Sequence, residues 1–502
     1  MGIDIGTSAC KVAVFDNDGK VLAQAGKAYQ VYHLGQGWVE QDPLEWWQKV
    51  CEAIQAVLSA LKAQGITASQ IGAIGVDGQS WSAIPVDQDG KVLHNTPNWM
   101  DNRAHAITER IKGEMGNDQI VAISGNSFEP TYSTPKILWF KEHRPEIFRQ
   151  TAKFLQSNSY IIYRLTGQIT QDISQGYGLH VFNINTGTYD YQLCDQLGIP
   201  AEMLPPLYPC HEVVGTITPQ AGTETGLSPG TPVVAGGLDA ACGTLGAGVV
   251  AIGETQEQGG QAGGMSICID RALAHPRLIL SCHVVPGRYL LQGGTVGGGG
   301  TLKWFKEQLG AYEVELEKTT GKNAFETFSE LADTVSPGSD GLVFLPYMAG
   351  ERSPIWDVHA KGVFFGLSYD KTKAHLIRAI MEGCAYALLH NLDTAETAGV
   401  AAKILNAMGG AANSEVWTQI KSDVTGKVIQ VPSSDTATTL GAAILAGVGV
   451  GVYRDCKEAV HRTIRIKRIH QPDEANHQVY RRYYQLYREL YQQLKGLMRK
   501  YS

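Results

Sequence analysis

Residues Gly2 to Phe15, "GIDIGTSACKVAVF", set one aspartate, two glycines and the pair Thr7-Ser8 inside an otherwise apolar, strand-like stretch. A near echo follows the apolar run "PVVA" (Pro232 to Ala235) at Gly236 to Ala241, "GGLDAA". A carboxylate at the end of a buried strand needs a reason, because burying an unpaired charge is costly. Gly2 and Gly6 let the backbone turn tightly and approach a ligand closely. Amides around Gly6, Thr7 and Ser8, with their hydroxyls, can then hydrogen-bond phosphate oxygens. Lys11 can neutralise phosphate charge as a mobile point donor. Asp4 repels phosphate and fits such a site only through Mg2+, held across waters because magnesium dehydrates reluctantly. The motif by itself leaves a purely structural Gly-x-Asp turn equally open.

Bulk properties narrow the classes. A chain of 502 residues exceeds a single core and sets the expectation at about two to four domains. With 43% hydrophobic and 18% charged residues it reads as soluble and globular rather than disordered. A net charge of −7 without a dense Lys/Arg block argues against nucleic acid or an acidic membrane as partner. No apolar stretch reaches the roughly 18 residues of a membrane span. The chain enters a strand with no basic-then-apolar leader, which sets the expected localisation as cytoplasmic. Nine scattered cysteines without a Cys-x-x-Cys pair read as reduced structural thiols, not as a zinc site or a disulfide frame.

Strand-like and helix-like patterns alternate throughout, which favours α/β domains. "KVAVF", "KVLAQA" and "IGAIGV" read as strands, the first two separated by the turn "DNDG" at 16–19. A helix is predicted from Asp42 as N-cap, with Pro43 at N1 and Glu45 closing a capping box. Trp47, Val50, Ile54, Val57, Leu58 and Leu61 recur at helical spacing, and Gly65 ends the run. Residues 403–432 read as strand, Gly-Gly turn, helix and strand. The tail at 475–499 reads as an amphipathic helix packing Val479, Tyr480, Tyr483, Tyr487, Leu490, Tyr491 and Leu494 against the body.

Other nucleotide motifs fail. "GGGGTLK" at 297–303 has the glycines of a P-loop at the wrong spacing. "GVGVG" at 447–451 opens no helix after a strand and has no acidic ribose partner downstream, so a dinucleotide fold is not expected. Neither His-Glu-x-x-His nor Gly-x-Ser-x-Gly occurs.

Four stretches, in order, resemble the FGGY family of carbohydrate kinases, most like its xylulokinase branch, within the actin-like ATPase superfamily. "GIDIGTSACK" resembles the first phosphate loop, and "YSTPKILWFKEH" (132–143) the first family signature around Lys136 and Trp139, with Thr131 at an atypical position. "GVFFGLSYDKTKAHLIRAIMEG" (362–383) resembles the second signature from Gly362 and Gly366 to His375 and Glu382. "MGGAANSEVWTQIKSDVTG" (408–426) resembles the adenosine-binding turn and helix, and "GERSPIWD" (350–357) adds to the pattern.

The resemblance implies an α/β protein of two actin-like (ribonuclease H-like) ATPase domains with an interdomain cleft. Residues 1–248 would form the sugar-binding domain, 249–451 the nucleotide-binding domain, and 452–502 a helical tail. It implies an ATP-dependent kinase that also uses Mg2+, acting on a small sugar or polyol, with a homodimer allowed. Asp239 aligns with the catalytic base that takes the proton of the attacking sugar hydroxyl, and phosphoryl transfer needs such orientation more than covalent help. Asp4 and Asp239 would serve the metal; Gly6, Thr7, Ser8 and Lys11 the phosphates; Gly260, Gln261, Gly299 and Gly300 the phosphates from the other side. Gly409, Gly410, Asn413 and Ser414 match the adenosine turn.

Two departures bear on substrate. The second phosphate loop reads "GGQAGG" (259–264), with Gln261 and Ala262 where the family usually carries hydroxyls; the Gln261 amide can still donate to phosphate. The sugar segment reads "GQSWS" (78–82), which puts Gln79, Ser80 and Trp81 at the sugar, with Trp81 where a histidine is usual, and Ala240 replaces an asparagine. Trp81 offers an apolar face and one N–H donor, or simple core packing. "NWMDNR" (98–103) brings Asp101 and Arg103 as hydroxyl ligands or as a structural ion pair. The expected activity is phosphorylation of a pentulose or related small sugar; another ketose or polyol, or a non-catalytic sugar or nucleotide sensor, is the alternative.

Overall fold

Asp4 lies in the middle strand of a five-stranded sheet. Its spatial order is Gly237–Leu238, Gly75–Gly78, Gly2–Ile5, Ala9–Phe15, Val21–Ala28. Gly2–Ile5 pairs antiparallel with Ala9–Phe15 and parallel with Gly75–Gly78, which in turn pairs parallel with Gly237–Leu238. Three parallel strands therefore end on the same edge, and open α/β sheets bind ligands outside such carboxyl ends. The computed structural model that shows this describes residues 1–434 and 436–501.

The helix Pro43–Lys62 covers this sheet. Asp42 caps it by accepting the Leu44 amide, and Trp46, Trp47, Val50, Ile54, Val57 and Leu61 are buried in the core. Each fully buried side chain of this kind contributes about 1.5–3 kcal/mol. The expected capping box does not form: the Glu45 carboxylate accepts the Gln30 amide instead.

The chain packs as two compact units that interleave along the sequence. One holds Met1–Val250, Asp270–Leu290 and Thr436–Ile464; the other holds Ala251–Ile269, Leu291–Asp435 and Arg465–Ser502. The sequence domains expected above are linear, whereas packing gives 436–464 to the first unit. The physical reason is a backbone contact between helices Asp239–Gly246 and Ala437–Gly449. A Cβ on Gly441 would sit 1.9 Å from the Cys242 carbonyl oxygen, and one on Gly246 1.8 Å from that of Ala437.

In the second unit the sheet runs Tyr289–Thr295, Gly263–Ile269, Glu254–Gly259, Ile404–Met408, Val428–Pro432, Ile466–His470. The helices Lys373–Thr397, Glu415–Thr425 and the C-terminal Glu474–Lys500 pack on one another beside it. The tail helix buries Tyr480, Tyr484, Tyr487, Leu490, Tyr491 and Met498. Val479 is exposed and Tyr484 takes its place in the row, since the 3.6-residue repeat carries 480, 484, 487 and 491 along one stripe. All nine cysteines are buried free thiols. Among the described residues no helix is long and apolar enough to cross a membrane.

Candidate active site

At the carboxyl ends of the three parallel strands stand Asp4, Asp77 and Asp239. Asp239 opens the helix Asp239–Gly246, and its Oδ1 accepts the Ala240 amide at 2.6 Å. Burial, and then the charge of Asp4, pushes its carboxyl up to about 7 against that amide. Asp4 and Asp77 are register partners on adjacent parallel strands. Burial also raises Asp4, against the pull of Lys11 and a hydrogen bond with Asp77. Asp77 is fully buried; no amide, hydroxyl or cation meets either of its oxygens. Burial and the charges of Asp4 and Asp239 hold it well above the usual carboxylate range. Two neighbouring buried carboxyls resist ionising together, and the stronger rise at Asp77 favours its protonated form beside Asp4.

The strand Gly75–Gly78 delivers Gln79, Ser80 and Trp81 to the same edge. The Gln79 side chain donates to Gln41 Oε1 at 2.8 Å and leaves its own amide oxygen without a partner. Ser80 Oγ accepts from the Tyr177 hydroxyl at 2.9 Å. Trp81 has φ of 64°, a left-handed backbone that is a genuine outlier for a bulky residue. Its ring stacks on Tyr132 with centroids 4.1 Å apart. The buried Lys136 holds this conformation by donating to the Trp81 carbonyl at 2.8 Å and the Asn98 carbonyl at 2.7 Å. Burial depresses its ammonium to about 7.

Asp101 and Arg103 come together as an ion pair rather than as free donors. Arg103 donates from Nε and Nη2 to Asp101 and from Nη1 to Glu40, at 2.7–2.9 Å, and both side chains are fully buried. Its guanidinium also lies 4.2 Å from the Trp38 ring centroid and 4.8 Å from that of Trp139.

Gly6 to Ser8 form the hairpin turn after the first strand, closed by the Gly6 amide on the Ala9 carbonyl at 3.2 Å. The Tyr29 hydroxyl donates to the Gly6 carbonyl, Trp99 Nε1 to Thr7 Oγ1 at 2.9 Å, and Gln41 Nε2 to the Thr7 carbonyl at 2.8 Å. Ser8 and Lys11 are exposed. In the second unit the Gly299 amide donates to the Gly260 carbonyl at 2.8 Å and the Gly300 amide to the Gln261 carbonyl at 2.9 Å. Gly409 joins them: a Cβ there would lie 2.7 Å from the Gly259 carbonyl oxygen. Two glycine loops and the turn at 409–410 thus meet backbone to backbone, with Gln261, Gly409, Gly410 and Asn413 exposed. Ser414 caps helix Glu415–Thr425 by accepting the Trp417 amide at 3.1 Å.

Sequence reasoning passed over Asp77, Tyr132 and Tyr177. For Asp77 a signal existed, since "GVDG" (75–78) repeats the Gly-x-Asp pattern of "GIDIG".

The profile of the FGGY family of carbohydrate kinases, N-terminal domain, matches residues 1–246, and that of its C-terminal domain matches 277–450. The chain belongs to the FGGY family of carbohydrate kinases. It is 31% identical to a xylulose kinase of Bacillus subtilis over 484 residues, covering 96% of this chain and 94% of that protein. It is 30% identical to a gluconokinase of Bacillus licheniformis over 489 residues, covering 96% and 93%. The crystal structure of xylulose kinase from Rhodospirillum rubrum superposes with a TM-score of 0.89 at 29% identity, covering 99% of both chains. This FGGY kinase therefore has the α/β, actin-like ATPase fold and is an ATP-dependent carbohydrate kinase, with a sugar and ATP as its substrates.

Proposed function

We propose that the kinase phosphorylates a neutral pentulose or a related small ketose, with Asp239 as general base. The carrying observation is a carboxyl pushed up to about 7 at the shared carboxyl edge of three parallel strands, beside Gln79, Ser80 and Trp81. A base poised near the working pH is ionised enough to accept a proton and basic enough to hold it. Asp239 takes the proton of the attacking hydroxyl, and the Gly6–Ser8 turn serves the phosphates through the Thr7 and Ser8 amides. In the second unit Gly260, Gln261, Gly299 and Gly300 are the phosphate candidates and Gly409, Gly410 and Asn413 the adenosine candidates, in keeping with sequence domains 1–248 and 249–451.

The donor chemistry fits Mg2+ held across water. Burial raises Asp4, Asp77 and Asp239, and the charge of Asp4 adds to the rise at the other two, a strain a divalent cation relieves, yet no described side chains converge as three direct ligands. Mg2+ would neutralise charge on the nucleotide phosphates, with Asp4 and Asp239 turned towards it.

A neutral sugar is favoured over a sugar acid because the cations at this wall are engaged. Arg103 is paired with Asp101 and Glu40, and Lys136 donates to two backbone carbonyls. Burial keeps His180 neutral, with its pKa at about 4. Gln79, Ser80 and Trp81 instead present amide, hydroxyl and aromatic surface, while Asp101 and Arg103 brace the wall. ADP release should be followed across pentuloses, hexuloses, aldoses, polyols and gluconate. Turnover highest with one ketose and abolished in Asp239→Ala is the expected result. Preference for gluconate overturns the neutral-sugar reading, and sugar-independent hydrolysis surviving in Asp239→Ala overturns Asp239 as base.

A further inference from the structure

Behind the proposed base and the Gln79 wall lies a further buried carboxylate, Asp172, in the short strand Gln171–Asp172 of the first unit. Three donors point at it. Ser174 Oγ–H reaches Oδ1 at 2.5 Å, the Gln175 amide reaches Oδ1 at 2.9 Å, and Asn158 Nδ2 reaches Oδ2 at 2.8 Å. Two of these donors hold active-site backbone in turn. Ser174 Oγ accepts the Leu238 amide at 2.9 Å, one residue before Asp239. Gln175 Nε2 donates to the Gly78 carbonyl at 2.9 Å and the Gln79 carbonyl at 3.3 Å.

The polarity of the chain is forced. Leu238 N–H can only donate, so Ser174 must accept there, and its single proton is left for Asp172. An acceptor without protons is therefore needed at 172, where all three partners donate. An asparagine would set its NH2 against one of those donors and leave buried groups unpaired. Burial raises the Asp172 carboxyl, and these same three hydrogen bonds oppose that rise.

We infer that Asp172 is a positioning residue for phosphoryl transfer, setting through Ser174 and Gln175 the placement of Asp239 relative to Gln79. This rests on Asp239 acting as the base. It assigns one carboxylate to two arms of the site, so loss of its acceptor character moves the base and the sugar-binding backbone together.

The test uses the full-length kinase carrying Asp172→Asn, Ser174→Ala, Asn158→Asp and the double change Asp172→Asn/Asn158→Asp. Turnover, KM for sugar and for ATP, and melting temperature are measured for each. Asp172→Asn should lose roughly tenfold to a hundredfold in kcat, the scale of a small misplacement of reacting groups, with the ATP KM unmoved. The double change restores an acid facing an amide, leaves the asparagine oxygen to Ser174 and Gln175, and should recover most of that loss. Ser174→Ala cuts the arm to Leu238 and one of the three donors to Asp172, leaves the Gln175 arm in place, and should lower kcat without matching the full loss. Turnover within about twofold of wild type in folded Asp172→Asn and Ser174→Ala overturns the inference, as does a folded double variant no better than Asp172→Asn. Should Asp172→Asn alone fail to fold, the double variant and Ser174→Ala decide it by the same criteria. Asp239→Asn runs in parallel: if it keeps full turnover, the base reading fails instead, whatever the Asp172 series gives.

Discussion

Asp4 and Asp77 are register partners on neighbouring parallel strands, and the buried Asp77 carboxyl meets Asp4 with no other polar partner. Burial and the Asp4 charge favour a protonated Asp77, which leaves Asp4 the more readily ionised of the two. Asp77→Asn retains the donor and the shape, so turnover should stay within about threefold of wild type. The stability effect has a definite sign. A carboxyl whose folded pKa is raised contributes fully below its unfolded value and loses that contribution as pH rises through the folded value. The asparagine has nothing to lose, so its advantage in melting temperature should grow from acid towards pH 9. A folded Asp77→Asn without activity would show that Asp77 works ionised.

Asp239 should write its own limb into the pH profile. With its carboxyl at about 7, kcat/KM for the sugar should rise with pH through that value, because only the ionised form accepts a proton. Asp239→Asn should lose about 10²–10⁴-fold in turnover, the usual contribution of a positioned base. The same raised pKa implies stability that fades as pH rises from the ordinary carboxylate range through about 7. At pH 8 the asparagine variant should accordingly be the more stable protein, by on the order of 1–4 kcal/mol. Equal melting temperatures at pH 8, or a flat profile from pH 5 to 8, would contradict the assignment.

The parts legible in the sequence are those carried by local pattern. Asp42 and Pro43 announce the start of a helix, and "GIDIG" and "GGLDAA" announce turns after strands. Asp172 carries no such mark, and Lys136 stands out only through the family signature around it. Their roles arise from contacts between residues 55 to 64 positions apart, as with Lys136 on Trp81 or Ser174 on Leu238. Arg103 was ambiguous because a guanidinium suits a sugar hydroxyl and a carboxylate equally well. Only the placement of Glu40, 63 residues away, shows where its donors go. The interleaving of the two compact units was hidden for the same reason: Gly441 meets Cys242 across nearly 200 residues of chain.

Trp81 joins a left-handed backbone to an aromatic stack, and such strain, about 1–3 kcal/mol, persists where the surroundings enforce it. Trp81→Ala should raise the sugar KM about tenfold or more while the ATP KM stays put, since the ring is lost from the proposed sugar wall. Trp81→Phe keeps an aromatic face on Tyr132 but no N–H, and should fall between the two. If sugar and ATP KM rise together in Trp81→Ala, the ring is general core rather than sugar wall.

Lys421 and Glu257 form a buried ion pair in the second unit, with Nζ on Oε1 at 2.6 Å and both side chains at most 5% exposed. Lys421 comes from the helix after the turn at 409–410, and Glu257 from the strand that runs into Gly260 and Gln261. The pair therefore ties the two proposed nucleotide elements together, and a Cβ on Gly259 would come within 3.1 Å of Nζ. Its second carboxylate oxygen has no partner, so the geometry does not recover the full cost of burying the charge. Lys421→Met leaves that carboxylate alone in the core and should cost about 3–5 kcal/mol in denaturant unfolding. Lys421→Met/Glu257→Leu removes both charges and should regain most of the stability, since well-packed apolar pairs often match a buried ion pair. If the pair also aligns the glycine loops, the double variant recovers stability but keeps a raised ATP KM. Full recovery of both would make the pair a matter of packing alone, and a double variant less stable than Lys421→Met would show that the ion pair is a net contributor to the fold.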